Sequence, residues 1–252
     1  MIAEIYGKLS DTRIERSEDE LTGNFFGNLR YLSFNRGLKQ ILKSSIFPAE
    51  LAKEFDCIDA EDWAADNIEF WPREKEAEPD ILLDFEGIAI LIEVKYRSGL
   101  SSDDDADSSV DDERIKQEST NQLAREAKLL KRIASGKKKI LILLAPEISA
   151  HQIYADVKNR NLFNDVFFGY ITWQKAFDAL KTIDVSSPFE ESIIDDLISL
   201  LRRKGFEGFR NFDMSFEPVD TTAIWTFDYT ASYCFSFVIE KDIERGLFYE
   251  FR

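Results

Sequence analysis

Apolar and polar positions alternate along this chain in two distinct rhythms. After Ser17, the residues Leu21, Phe25, Phe26, Leu29 and Leu32 recur at helical spacing. Ser17-x-x-Glu20 has the form of a capping box, so the pattern predicts a first helix that starts near residue 17. A second helical stretch is expected over 49–65. The rhythm then changes. Residues 80–96, DILLDFEGIAILIEVKY, are rich in branched apolar side chains and broken by Glu86-Gly87, which reads as two strands joined by a two-residue turn. A helix is expected from about Glu118 to Ala134, with Leu123, Ala127 and Leu130 on its buried side and Gly136 as its stop. Ile140 to Ala145 is a short, wholly apolar run, as in a strand covered on both faces. Val166 to Ile171 is read as another strand. Helices are expected at 173–181 and 189–204, the latter ending at Gly205. His151 is read as a surface or helix-start residue. An aromatic tail follows residue 206, with Trp225, Phe227, Tyr229, Tyr233, Phe235 and Phe237, and is read as core material.

This order predicts an α/β fold: a mixed β-sheet flanked by helices. One continuous domain over residues 1–252 is expected, with a core at about 17–145 and a C-terminal α/β extension at about 146–252. Pro188 is the one place where a subdomain could begin.

Composition narrows the choices. The chain has 252 residues, of which 44% are hydrophobic, and its 21 phenylalanines can fill a core without a metal or disulfide staple. Two cysteines, Cys57 and Cys234, make no framework and point to a reducing, cytoplasmic setting. No stretch approaches the length of an apolar membrane span, and the opening MIAEIYGKLSDTRIER lacks the apolar run of a signal peptide, so no membrane partner is expected. A single histidine, His151, excludes mechanisms that need two. The net charge of −16 argues against coating nucleic acid through bulk charge. The charge is segregated, however. Residues 103–113 carry seven acids and no base, read as a solvated loop, whereas 125–139 is rich in bases and holds one acid, Glu126. Lys137 to Lys139 form the most phosphate-attracting patch in the sequence.

The chemistry sits in the hairpin. With a turn at Glu86-Gly87, Phe85 faces Ile88, and counting back places Asp80 opposite Glu93. Opposed side chains lie about 5 Å apart. Lys95, two residues beyond Glu93, points to the same face. Asp84 would face Ala89, far along the strand, and is excluded. Two carboxylates side by side repel unless a cation or proton sits between them. A divalent metal removes the conflict, and a site with few oxygen ligands and room for water suits Mg²⁺, with Mn²⁺ as a substitute. Such an ion polarises a phosphoryl oxygen and acidifies a bound water, which Lys95 could orient or deprotonate. The competing reading is a salt-bridge cluster, in which Asp80 caps a turn after Pro79 while Glu93 and Lys95 pair across the sheet.

Pro79-Asp80 followed by Glu93-Val94-Lys95 resembles the signature of the PD-(D/E)XK nuclease superfamily, and the order of elements is similar to that restriction-endonuclease-like core. Glu18-Asp19-Glu20-Leu21-Thr22, Leu29-Arg30-Tyr31-Leu32, Tyr170-Ile171-Thr172-Trp173 and residues 200–206, LLRRKGF, are similar to bacterial, restriction-type members. The resemblance implies a Mg²⁺-dependent nuclease that hydrolyses phosphodiesters, in DNA and as an endonuclease, in prokaryotic defence or repair. It implies Asp80 and Glu93 as metal ligands and Lys95 as the residue that assists attack. Many members add an acid from the first helix. At about 100° per residue, Glu18 falls on the inward face with Phe25, whereas Asp19 and Glu20 point away, so Glu18 is the third ligand expected. Gln122 resembles a glutamine that some members carry on the following helix. Arg125 and Lys128 share that helix and could meet backbone phosphates. Members are often dimers, so a homodimer is expected. The alternative is a catalytically inactive module on the same fold that binds DNA or a protein.

Overall fold

The computed structural model describes residues 18–60, 67–74, 77–96, 122–160 and 163–208, all within one compact unit, Met1–Phe209. Ser17, the acidic run at 103–113, the start of the helix expected from Glu118, Cys234 and the aromatic tail lie outside the described residues.

The fold is a five-stranded mixed sheet flanked by helices. In chain order the elements are α1 (Glu18–Leu29), α2 (Leu38–Ser45), a 3₁₀ helix (Ala49–Cys57), β1 (Ile68–Phe70), β2 (Ile81–Asp84), β3 (Ile88–Val94), α3 (122–133), β4 (Lys138–Ala145), α4 (Glu147–Arg160), β5 (Phe167–Thr172), α5 (Trp173–Leu180) and α6 (Pro188–Arg203). The strands lie side by side in the order β1-β2-β3-β4-β5. β1, β2 and β3 run antiparallel in turn, while β4 and β5 run parallel to β3.

β3 is the central strand, and all seven of its residues are buried. That is why it reads as an unbroken apolar run rather than an alternation: both of its faces are covered. The period of two divides its side chains. Ile88, Ile90, Ile92 and Val94 join the larger core, with Phe25, Phe26, Leu29, Trp173, Phe177 and Leu197 from α1, α5 and α6. Ala89 and Leu91 face the other way, into a second core with Leu123, Ala127 and Leu130 of α3 and Ala150 and Ile153 of α4. Glu93 and Lys95 continue that second series and so point toward the α3 side.

Four elements differ from the sequence reading. The stretch expected as a helix over 49–65 is a 3₁₀ helix that ends at Cys57, preceded by α2. Pro48 flanks that segment, and α2 stands on its own short apolar stripe, Leu38, Ile41 and Leu42. α4 was not expected. His151 sits inside it, exposed, with its ring edge-on to Tyr170 at 5.2 Å between centroids. β1 was also unforeseen: it has three residues and lies at the edge of the sheet, so its pattern is too brief to read. The helices expected at 173–181 and 189–204 form as α5 and α6. Thr172 and Ser187 cap them, accepting from the backbone N–H of Lys175 (3.1 Å) and Glu190 (3.2 Å). Gly205, at φ 83°, ends α6 in the left-handed conformation, and the Phe206 N–H closes onto the Leu201 carbonyl at 3.0 Å. Pro188 opens α6, whose Ile193, Ile194 and Leu197 pack into the same core as α1, so no subdomain boundary falls there.

Candidate metal centre

The hairpin register is the one counted from the Glu86-Gly87 turn. Ile81 pairs with Ile92 and Asp84 with Ala89, and the Phe85 N–H donates to the Ile88 carbonyl at 2.9 Å. Asp80 and Glu93 therefore leave their strands side by side. The Asp80 carboxylate is fastened by the Val94 N–H, which donates to Oδ2 at 2.8 Å. Lys95 is held by its backbone at both ends: its N–H donates to Leu144 O at 2.7 Å, and its carbonyl accepts from the Trp173 indole at 2.9 Å. The Lys95 side chain lies over Glu93, with Nζ 2.5 Å from Oε1.

Glu18 arrives from the first turn of α1. Its Oε1 accepts from Lys95 Nζ at 3.2 Å, and its Oε2 from the Tyr96 N–H at 2.8 Å. Carboxylate oxygens of Glu18, Asp80 and Glu93 all lie within 4.8 Å of one another, close enough to hold one metal ion. Asp80 and Glu93 are buried, and Glu18 is one-third exposed, so the cluster opens toward solvent on the α1 side. It borders a hollow of about 620 Å³ among the described residues, whose wall includes Lys95, Gln122, Asp19 and the aromatic pair Phe70 and Trp71.

Electrostatics are out of balance here. Burial, followed by the neighbouring Glu93 charge, pushes the Asp80 carboxyl up to about 7. Burial works to strip Lys95 of its proton, but Glu93, Glu18 and Asp80 outweigh it, and the ammonium is held above its ordinary range. Lys95 is thus a cation in the metal-free protein, suited to orienting a water or stabilising negative charge rather than to accepting a proton.

One residue of this constellation was missed in the sequence. Glu126 of α3 is fully buried, and neither of its carboxyl oxygens meets a donor among the described residues. It lies against Glu93. Burial first, then the Glu93 charge, pushes its pKa well above the ordinary carboxylate value, which favours the protonated form that can donate to Glu93. A signal was available: Glu126 follows Gln122 by one helical turn, next to Ala127 on the apolar stripe, where a surface glutamate has no place.

The other expected residues are placed as follows. Gln122 lines the hollow. Arg125 and Lys128 lie on the exposed side of α3 and are not among the residues that line it. Lys137 and Lys138 are engaged at the opposite end of β3, by Asp84 (2.6 Å) and Glu54. Cys57 is a free, exposed thiol. No described helix is long and apolar enough to cross a membrane.

No protein-family model, curated protein or solved structure matches this chain.

Proposed function

We propose that this protein is a metal-dependent nuclease of the PD-(D/E)XK type, with a restriction-endonuclease-like core, that hydrolyses phosphodiester bonds in DNA. The observation that carries the reading is the convergence of Glu18, Asp80 and Glu93 within 4.8 Å, with the Lys95 ammonium against them. A cluster of buried acids with one cation is unfavourable unless a further positive charge joins it. Hard oxygen ligands beside an open hollow favour Mg²⁺, with Mn²⁺ able to replace it. The ion, when bound, polarises the scissile phosphate and acidifies a water. Glu18, Asp80 and Glu93 would hold it. Lys95 would orient the attacking water and stabilise charge on the phosphate, and Gln122 is placed to help position either. Arg125 and Lys128 would contact backbone phosphates farther from the cut. An endonuclease acting as a homodimer in the cytoplasm, in defence or repair, is the fuller form of this proposal.

The test is incubation of the protein with plasmid and linear DNA and Mg²⁺ or Mn²⁺, beside the Asp80→Ala and Lys95→Ala variants. Cleavage that needs the metal and both side chains supports the proposal. Absence of cleavage with either ion rejects it. The Lys95 ion pairs favour a second reading, a closed salt-bridge cluster on a catalytically inactive module that binds DNA or protein. Calorimetric detection of Mg²⁺ or Mn²⁺ binding that is lost in Asp80→Ala would reject the metal-free cluster.

A further inference from the structure

The wall of the hollow holds a residue that breaks two local rules at once. Trp71 follows β1 directly and adopts φ 47°, in the left-handed region that bulky side chains avoid. Its indole N–H is sealed from solvent without an acceptor among the described residues. Both features cost free energy, and such departures gather where a site requires a particular geometry. The backbone that imposes this conformation is tied to the metal-centre hairpin, because the Trp71 N–H donates to the Asp80 carbonyl at 2.9 Å. The indole lies beside Gly23 of α1, where an added Cβ would come into ordinary contact with the six-membered ring at 3.4 Å.

Trp71 does not stand alone. Its ring is 5.7 Å from that of Phe70, which also lines the hollow. The Arg30 guanidinium lies 5.9 Å from the Phe70 ring centre and 5.2 Å from that of Tyr31, whose side chain is 59% exposed. A chain of aromatic rings and one guanidinium, each beside the next, thus leads from the hollow to the exposed Tyr31.

Charge explains what such a track is for. The protein carries −16, and in the wall of the hollow the acids Glu18, Asp19, Glu78, Asp80 and Glu93 outnumber the bases Arg73 and Lys95. A polyanion cannot be held here by bulk attraction, and one metal ion compensates only for the acids that ligate it. Stacking on aromatic and guanidinium planes is a source of affinity that does not depend on the protein's net charge, and it adds to phosphate contacts such as those proposed for Arg125 and Lys128. Ring faces can stack only on bases whose own faces are free. In an intact duplex those faces are already taken up by neighbouring base pairs.

We infer that Trp71, Phe70, Arg30 and Tyr31 form a stacking track for an unpaired nucleic-acid strand, and that the metal centre acts on phosphates in or beside single-stranded segments rather than within intact duplex. The inference rests on the nuclease reading for its chemistry, but its binding half can be measured without any cleavage.

The experiment uses the full chain and a fluorescein-labelled 15-nucleotide strand, presented alone, paired to its complement, and as an unpaired flap on a duplex, with an RNA strand of the same sequence as a further arm. Anisotropy is read in EDTA with the wild type and in Mg²⁺ in the Lys95→Ala background. The unpaired strand and the flap are expected to bind more tightly than the duplex, and the tighter of the DNA and RNA arms identifies the sugar. Trp71→Ala should weaken unpaired-strand binding about five- to a hundredfold, and Arg30→Ala less, while duplex binding changes little. Trp71→Phe keeps a ring and should retain most of the affinity, which separates stacking from loss of fold. Equal binding of duplex and unpaired strand overturns the inference, as does affinity within twofold of wild type in both Trp71→Ala and Arg30→Ala. Tight, Trp71-dependent binding without cleavage supports the track and removes the nuclease reading.

Discussion

The two ends of the β2–β3 hairpin carry charges of opposite character. At the turn end, Asp84 meets Lys137 at 2.6 Å and Lys138 meets Glu54, one acid to one base, with both ammonium groups partly exposed. At the far end Glu18, Asp80, Glu93 and Glu126 surround one ammonium among the described residues, that of Lys95, and three of the four acids are buried. Matched charges in water cost little and contribute little. Unmatched charges out of water are expensive, and the chain keeps them only by protonating some or by taking up a cation. The contrast singles out the far end of the hairpin as the place where a metal ion could be held.

The sharpest way to break the contrast is to remove one acid from each end. Asp80→Ala is expected to abolish detectable Mg²⁺ binding by calorimetry and to lower cleavage at least about a hundredfold, and Lys95→Ala to cost cleavage about 10²- to 10³-fold. Asp84→Ala should leave both within about twofold. If Asp84→Ala were as damaging as Asp80→Ala, the distinction between the two ends would be lost.

Proton linkage gives the next largest effect. The Asp80 carboxyl rises from 3.8 to about 7 in the folded, metal-free protein. Between those values the native state binds more protons than the unfolded chain, so this group makes stability fall as pH rises from about 4 to 7 and leaves it flat above. Urea unfolding should show a loss on the order of 2–4 kcal/mol across that window. Asp80→Asn should flatten the profile and stabilise the apo protein at pH 8, while Mg²⁺ should stabilise the wild type most at that same pH.

Glu126 offers a finer test. Glu126→Gln retains a donor for Glu93 and removes an ionisable group, so stability should change by no more than about 1 kcal/mol. Glu126→Ala leaves Glu93 without that donor and opens a void, and should cost about 2–3 kcal/mol in chemical denaturation. The smallest effects belong to the turn end: Lys137→Ala and Lys138→Ala should each shift stability by about 0.5 kcal/mol or less.

The parts of this site that were legible in the sequence are local in the chain. A two-residue turn and a period of two are enough to set Asp80 against Glu93 and to aim Lys95 with them. Helix phase was enough to choose Glu18 over its two acidic neighbours. α2 and α4 were overlooked although Leu38, Ile41 and Leu42, and Ala150, Ile153 and Val157, carry helical spacing. Their stripes are short, and short helices owe their stability mainly to what they pack against. β1 gave no readable signal because a three-residue edge strand exists only through its partner, β2.

The amino-acid order alone thus determined the alternation of strands and helices, the apolar run that had to become a covered central strand, and the turn that pairs its charged end. These depend on backbone geometry and on neighbours a few residues away. Only the tertiary structure decided that α3 would lay Glu126 against Glu93, that Glu18 would reach Lys95 across 77 positions, and that Trp71 would be bent into the hollow's wall. Those contacts join segments remote in sequence, and their energetic weight comes from removal of water, which no single segment can accomplish by itself.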